Sequence, residues 1–204
     1  MIRLKDEPLL IKGGNRLCYI HPEDDTKILK VLRPEKTAEA KRSKAPLYQK
    51  FRPLSSFDDN RWELREFSRL AKKGGHIRRH FPGCFGEVQT DMGCAVCQEL
   101  IRSDDGRIAP SLQAYLQDQG PTPNILEALA EFFSFLEDNR IIVRDLRSGN
   151  LVVKTSESLR IYMIDGIGNS DFIPIANVSK TWAGIKIRRN IAAFRRKLGS
   201  FRSL

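Results

Sequence analysis

The chain has 204 residues, a length that fits one domain or two small lobes. Hydrophobic residues make up 41% of the chain and charged residues 29%, which excludes a disordered protein, and no run approaches the roughly 18–20 apolar residues of a membrane span. The N-terminus lacks the apolar core of a signal peptide, and the four cysteines are typical of free thiols. We therefore expect a cytoplasmic protein.

The net charge of +10 is concentrated near the end of the chain. No acidic residue follows Asp171, whereas eight lysines and arginines do, and the first 171 residues are nearly balanced in charge. A basic segment of this kind is typical of binding to nucleic acid or to an anionic membrane, and also of a solvated helix face. We favour the last interpretation, in which the helix closes a shortened second lobe, over nucleic-acid binding.

The first half of the chain predicts short strands and one helix. Alternating apolar residues predict strands over 9–11, 17–20 and 26–31. Residues 33–60 are rich in proline, serine and lysine and predict a long loop. A helix is predicted over 61–71, and a hairpin over 85–90 and 94–100.

The second half is led by helices. We predict a short helix over 111–118, and then a helix of about 16 residues with Asn124 as its N-cap and Glu127 three residues later. A strand is predicted over 161–164. In the basic tail, 182–198 predict an amphipathic helix with these apolar residues near one face: Trp182, Ile185, Ile191, Phe194 and Leu198.

The segment 143–150, Val-Arg-Asp-Leu-Arg-Ser-Gly-Asn, is followed fifteen residues later by Asp165-Gly166. It resembles the protein-kinase catalytic loop R-D-L-x-x-x-N and the metal-binding D-x-G segment. Phosphoryl transfer needs a carboxylate near the attacking hydroxyl, the role predicted for Asp145. Asn150 and Asp165 would supply hard oxygen ligands to Mg²⁺, and Arg147 would steady the transferred phosphate. The plainer interpretation is a polar turn between two strands.

Residues earlier in the chain match further parts of a kinase. Lys30, late in a strand, corresponds to the lysine that binds ATP phosphates. Glu63 shares a helix face with Phe67 and Leu70, and an inward charge needs a partner, which we predict to be Lys30. Glu66 is the competing candidate.

Two further segments are candidates for binding the nucleotide. The stretch containing Gly13, Gly14 and Cys18 corresponds to the loop that covers the phosphates, although it keeps about one of the three glycines of that motif. Backbone groups of Glu99 and Ile101 would bind adenine.

The pattern also departs from that of ordinary protein kinases. Val143 stands where kinases usually have histidine, and no phenylalanine separates Asp165 from Gly166. About 38 residues follow Gly166, so we expect no large helical subdomain for peptide binding. The run D-L-R-S-G-N also resembles the D-L-x-x-x-N of aminoglycoside and choline phosphotransferases.

Four stretches are similar to the YrbL family, small bacterial proteins grouped with the PhoP regulatory network and classed as protein-kinase-like. They read P-L-L-I-K-G-G-N-R-L-C-Y-I-H-P-E-D, F-G-E-V-Q-T-D-M-G, L-E-D-N-R-I-I and I-G-N-S-D-F-I-P-I-A. The resemblance implies an α+β, minimal two-lobed kinase-like fold. A β-rich lobe would span 1–98 and a shortened helical lobe 99–204, with ATP and Mg²⁺ between them. The acceptor, a protein or a small molecule, and the oligomeric state stay open.

Two alternatives to an active kinase remain. The thin glycine loop and the missing phenylalanine are compatible with a pseudokinase that serves as a regulatory binding module. The pairs His76-x3-His80 and Cys94-x2-Cys97 resemble zinc ligands, but strand geometry points Cys94 and Cys97 to opposite faces. We favour the phosphotransferase because the chain retains five matching residues, which are Lys30, Glu63, Asp145, Asn150 and Asp165.

Overall fold

The computed structural model describes residues 1–168 and 180–199. The chain divides into two units, the first formed by Met1–Arg69 and Gly83–Leu100 and the second by Leu70–Pro82 and the residues from Ile101 onward. The predicted single boundary after residue 98 differs from this division, because Leu70–Pro82 belongs to the second unit. Strands and helices are both present, which confirms the predicted α+β class.

A five-stranded antiparallel sheet forms most of the first unit. Its spatial order is β1-β2-β3-β5-β4, and β1 and β4 are its edges. The strands are β1 (Leu9–Lys12), β2 (Arg16–His21), β3 (Asp24–Leu32), β4 (Cys84–Thr90) and β5 (Gly93–Glu99). The three predicted strands and the predicted hairpin are all found here. Because β3 lies in the middle of the sheet, both of its neighbours fix the direction of its side chains.

The two faces of this sheet have different roles. One face buries a core made of Leu4, Tyr19, Leu29, Val31, Ala95 and Cys97. On the opposite face, Cys18 and Val96 lie in register with Lys30. Since strand side chains alternate, residues two positions apart share a face. Lys30 therefore shares its face with Cys18 and Val96 rather than with this apolar core.

The prediction of a long loop over 33–60 was wrong. The segment contains α1 (Ala38–Lys44) and α2 (Leu47–Lys50), and 3-10 turns at Pro34–Lys36 and Leu54–Ser56. The Thr37 hydroxyl accepts a hydrogen bond from the Ala40 amide and caps α1. Each proline read as a helix breaker instead precedes or begins a short helix, because its fixed φ fits the first turn. The helix α3 (Asp59–Ala71) follows and begins two residues earlier than predicted.

The second unit combines helices with a two-stranded sheet. Its named elements are α4 (Leu112–Gln119), α5 (Pro123–Asp138), β6 (Leu151–Thr155), β7 (Leu159–Met163) and α6 (Lys180–Gly199). Helix α5 has the predicted 16 residues. Its N-cap is Thr122, whose hydroxyl accepts from the Ile125 amide, rather than Asn124. Pro123 occupies the first helical position, which proline favours, and moves the cap two residues toward the N-terminus.

Helix α6 is amphipathic, but its buried face differs from the predicted one. Ile191 and Phe194 are buried, whereas Trp182 and Ile185 are more than half exposed. Counting back from Ile191 in steps of four gives Ile187 and Ala183, and these residues complete the buried face. Of the eight basic residues that follow Asp171, the last, Arg202, lies outside the described residues, as does Phe201 beside it. Within the part that the structure describes, no helix is long and apolar enough to cross a membrane.

The histidines and cysteines considered as zinc ligands have other surroundings. Cys97 is buried in β5, and burial raises the pKa of its thiol. His76 Nε2 lies 2.8 Å from the Asn139 side-chain oxygen. His80 is fully buried, its Nδ1 lies 2.8 Å from the Ile161 carbonyl oxygen, and its ring lies 4.7 Å from that of Phe135. No group of three or more potential metal-binding side chains occurs among residues 1–168 and 180–199.

Burial lowers the pKa of His80, mainly because the apolar surroundings disfavour the imidazolium ion. The folded protein therefore favours neutral His80, and protonation of the unfolded chain below about pH 6.5 favours unfolding. We expect the free energy of unfolding to fall more steeply between about pH 7.5 and about pH 5.5 in the native chain than in His80→Asn. Urea unfolding at both pH values measures this, and parallel losses in the two proteins would contradict it.

Candidate functional site

The first candidate cluster is centred on Lys30 in the middle strand of the first unit. Lys30 is buried, and its Nζ lies 3.1 Å from Oε1 of Glu63 on α3. Glu63 is also buried, so the two charges depend on each other rather than on water. The structure thus brings together the two residues that the sequence predicted to pair. The alternative candidate Glu66 forms an ion pair with Arg69 one turn further along the helix.

Arg16 also belongs to this cluster, and the sequence analysis missed it. Its guanidinium forms an ion pair with Oε2 of Glu63 and donates a 3.1 Å hydrogen bond to the Asp59 carbonyl. Gln98 donates a 2.8 Å hydrogen bond to Oε1 of Glu63. Both carboxylate oxygens are therefore engaged. The place of Arg16 in β2 indicates this contact. Arg16 lies two residues before Cys18, and Cys18 is in register with Lys30, so the side chains of Arg16 and Lys30 lie on the same face of the sheet.

The glycine turn between β1 and β2 is held by side chains of its own unit. The Gly13 amide donates to the Arg16 carbonyl at 2.8 Å, and the Arg33 guanidinium donates to the Gly13 carbonyl at 3.3 Å. Asn15 donates a 3.1 Å hydrogen bond to the carboxylate of Asp59 at the start of α3. Gly14 lies in this turn, and the half-buried Cys18 follows it in β2. The turn is thereby attached to α3.

The segment predicted to bind adenine has defined partners. The Glu99 amide donates to the Gly83 carbonyl at 2.8 Å, and the Glu99 carboxylate accepts from the Gly83 amide at 2.8 Å. Ile101 is buried, and its carbonyl accepts from the Ala109 amide at 2.9 Å. Adenine binding at these residues stays a prediction.

The second candidate cluster lies in the second unit and is centred on Asp145. The buried Asn150 donates two 2.9 Å hydrogen bonds to Asp145, one to its carbonyl and one to Oδ2 of its carboxylate. Arg147 Nε lies 3.0 Å from the same Oδ2. The side chains of Asp145 and Arg147 are about half exposed, at 47% and 62%. A buried amide thus orients a carboxylate that solvent reaches.

Backbone contacts fasten this loop to the Asp165-Gly166 segment. The Arg144 amide donates to the Gly166 carbonyl at 2.8 Å, and the Ile164 amide donates to the Asn150 carbonyl at 3.0 Å. Gly166 has φ +81°, and a Cβ there would lie 2.7 Å from the Asp145 carbonyl oxygen. Only glycine allows this approach without strain. The three predicted residues Asp145, Asn150 and Asp165 therefore lie on two segments that backbone hydrogen bonds join.

The start of the loop is fixed by helix α6. Val143, at the position where kinases usually have histidine, is fully buried and forms an isolated bridge with Ile167. Its carbonyl accepts a 2.6 Å hydrogen bond from the Asn190 side chain of α6. An apolar residue suits this place because it is enclosed by the unit's own core.

The donor set of this cluster fits Mg²⁺. The amide nitrogen of Asn150 faces Asp145, so its oxygen is the atom left for a cation. One oxygen of the Asp165 carboxylate accepts from the Gly166 amide at 2.6 Å, which orients the group. Carboxylate and amide oxygens are the hard ligands that Mg²⁺ takes, usually one or two from the protein together with phosphates and water.

Comparison with known proteins gives the family. The model of the family described as PhoP regulatory network protein YrbL matches residues 2–199, so the chain belongs to this family. The resemblance stated from the sequence is confirmed. Two relatives, each named uncharacterized protein YrbL and coming from Escherichia coli (strain K12) and Shigella flexneri, are 28% identical over 189 residues. These alignments cover 88% of this chain and 80% of each relative.

Among solved structures, two variants of the Mycobacterium tuberculosis PknI kinase domain are similar to the chain. One is a single mutant with 17% identity and a TM-score of 0.46, and the other is a double mutant with 16% identity and a TM-score of 0.47. Both matches cover 81% of this chain. The chain spans 60% and 59% of the length of those two domains.

The close approach at Gly166 generates a prediction with an internal control. Gly106 also has a positive φ, +78°, but a Cβ there meets nothing within 4 Å. We expect Gly106→Ala to lower the free energy of unfolding by about 1–2 kcal/mol, the cost of left-handed backbone. Gly166→Ala adds the clash with Asp145 and should lower it by clearly more. Urea unfolding of the two variants measures the difference, and equal losses would refute the steric role of Gly166.

The shared carboxylate generates another prediction. Glu63→Gln leaves Lys30 and Arg16 buried beside a neutral amide, and we expect it to lower the free energy of unfolding by about 3–5 kcal/mol. Glu66→Gln on the same helix is the control, because its partner Arg69 is half exposed and can be solvated. The control should lose much less stability in urea unfolding. Similar losses of stability in the two variants would show that Glu63 contributes no more to the folded state than Glu66 does.

Proposed function

We propose that this protein is a kinase-like phosphotransferase that uses ATP and Mg²⁺ and moves the γ-phosphate to a hydroxyl of a protein or small molecule. The observation that carries the proposal is the loop in which the buried Asn150 orients the half-exposed carboxylate of Asp145. Because Asn150 binds both the carbonyl and the carboxylate of Asp145, it fixes the direction of that carboxylate, as a proton acceptor requires. The Lys30–Glu63 pair of the first unit supports the same function independently.

Lys30 would bind phosphate oxygens of the nucleotide. The Glu63 carboxylate holds its ammonium group in one place, and Arg16 and Gln98 hold that carboxylate in turn. A cation fixed in advance loses less entropy on binding an anion than a mobile surface lysine does. Glu63 is therefore a positioning residue, and Lys30 is the residue that would touch the nucleotide.

Asp145 would accept the proton of the acceptor hydroxyl as that oxygen bonds to the transferred phosphorus and ADP leaves. Its other contacts suit this role, because Asn150 and Arg147 both bind Oδ2 and orient the group. Arg147 is exposed enough to bind the transferred phosphoryl group as well. Bound ATP and Mg²⁺ would supply the phosphoryl group and the charge that neutralises it. Asn150 and Asp165 would hold the metal ion through oxygen atoms.

A regulatory binding module is the second candidate function. It is favoured by the contacts of Asp145 Oδ2, because Asn150 and Arg147 both bind this oxygen. If Arg147 keeps this contact with nucleotide bound, Oδ2 stays occupied and does not reach the hydroxyl of an acceptor. The protein would then bind nucleotide and transfer no phosphate.

Nucleotide binding is tested by thermal unfolding with ATP, with Mg²⁺ and with both. A ligand at a hundred times its Kd stabilises the folded state by about 2.7 kcal/mol, so a clear rise in Tm is expected with both present. Asp165→Ala should lose the part that depends on Mg²⁺, and Lys30→Met should lose most of the response. Asp118→Ala, which removes an exposed carboxylate from the same unit, is the control. No rise in the native chain would overturn the proposal.

Asp145→Asn separates the two candidate functions. It retains the shape and the hydrogen-bonding oxygen of the side chain but cannot accept the hydroxyl proton as a carboxylate does. We expect a normal rise in Tm with ATP and Mg²⁺, together with loss of ADP release measured by a coupled assay. A native chain that shows the rise in Tm but releases no ADP, whatever acceptor is offered, would assign the protein as a binding module.

A further inference from the structure

Three large apolar side chains of the first unit protrude next to one another. Leu47, Tyr48 and Phe51 are 74%, 69% and 84% exposed, which means that each touches little of the protein. Leu47 and Tyr48 begin the short helix α2, and Phe51 follows its last residue. Single exposed apolar residues are ordinary, but adjacent ones of this size mark an interaction surface.

The same segment is strongly basic. Residues 40–57 contain five lysines and arginines and no acidic residue. Arg42 and Lys44 precede the apolar side chains and Arg52 follows them, and all three are exposed. We refer to Leu47, Tyr48 and Phe51 with Arg42, Lys44 and Arg52 as the α2 patch. Cations thus flank the apolar side chains on both sides in the sequence.

The α2 patch is held by defined contacts. The Arg42 guanidinium donates a 3.0 Å hydrogen bond to the Lys50 carbonyl, which ties α1 to the end of α2. Lys41 forms an ion pair with Asp59 at the start of α3, so α1 is attached to that helix. Pro46 and Pro53 restrict the backbone at the two ends of the segment. The apolar side chains are therefore presented by structured backbone.

We propose that the α2 patch binds an anionic membrane surface, with Leu47, Tyr48 and Phe51 entering the interfacial region. The cations would lie at the level of the headgroups, where negative lipids attract them. Aromatic and aliphatic side chains flanked by lysine and arginine are the composition that interfacial segments use.

An acidic protein partner fits the same charges less well. Side chains that protrude this far need matching pockets on a protein surface, whereas a lipid interface deforms around them. The lipid proposal is independent of the proposed phosphotransfer, because none of its residues belongs to the Lys30 or Asp145 clusters. It adds a location at which the protein would work.

The test is co-sedimentation of the full chain with phosphatidylcholine vesicles that contain or lack phosphatidylserine. We expect binding to the anionic vesicles that weakens with salt. The triple variant Leu47→Ser, Tyr48→Ser, Phe51→Ser should bind at least about a hundredfold more weakly, because it has no apolar groups to insert. Lys44→Glu with Arg52→Glu should weaken binding by roughly thirtyfold or more.

Matched controls separate this surface from basic charge in general. Arg65→Glu with Lys72→Glu makes the same change in net charge at exposed positions outside the patch and should retain binding. Trp182→Ser with Ile185→Ser removes the exposed apolar residues of α6 and should also retain it. The proposal is overturned if the native chain does not bind anionic vesicles, or if the α6 variant loses binding and the α2 variant keeps it. It is also overturned if the α2 patch binds duplex DNA or polyglutamate but not vesicles.

Discussion

The arrangement of the first unit depends on one buried carboxylate. Glu63 accepts Lys30 and Gln98 on one oxygen and Arg16 on the other, so a residue of α3 is joined to β2, β3 and β5 at once. A buried charge is stable only when its partners satisfy it, and the partners here come from different strands. The position of α3 and the direction of the Lys30 side chain are therefore set by the same interaction. A helix that moved away from this sheet would leave two cations without their carboxylate.

In the second unit, backbone contacts rather than a buried charge hold the Asp145 loop in place. The Gly166 backbone passes so close to Asp145 that a side chain would collide with it, and the amides of Arg144 and Asp145 donate hydrogen bonds to the Gly166 carbonyl. The buried amide of Asn150 then binds the carbonyl and the carboxylate of Asp145 together. These contacts fix a carboxylate without burying it, which leaves the group accessible to solvent.

Sequence periodicity predicted the parts of the fold in which one pattern dominates. The sheet strands, the length of α5 and the inward direction of Glu63 all follow from spacing. Arg16 was missed because a cation beside a glycine turn looks solvated until the register of β2 against β3 is known. Proline content hid α1 and α2, since the same residue ends one helix and begins another. In α6, a stripe counted from Trp182 was wrong, because packing selects the row containing Ile187 and Ile191.

The departures from the kinase pattern have physical counterparts in this chain. Where kinases have histidine, Val143 is enclosed by core residues, and its carbonyl is bound by Asn190 of α6. The helix that carries much of the chain's excess positive charge thus buries one face, and its Asn190 side chain binds the start of the Asp145 loop. Its arginines stay exposed while it does so. In the second unit, one helix therefore supplies both a buried apolar face and the hydrogen bond to the Val143 carbonyl at the start of the loop.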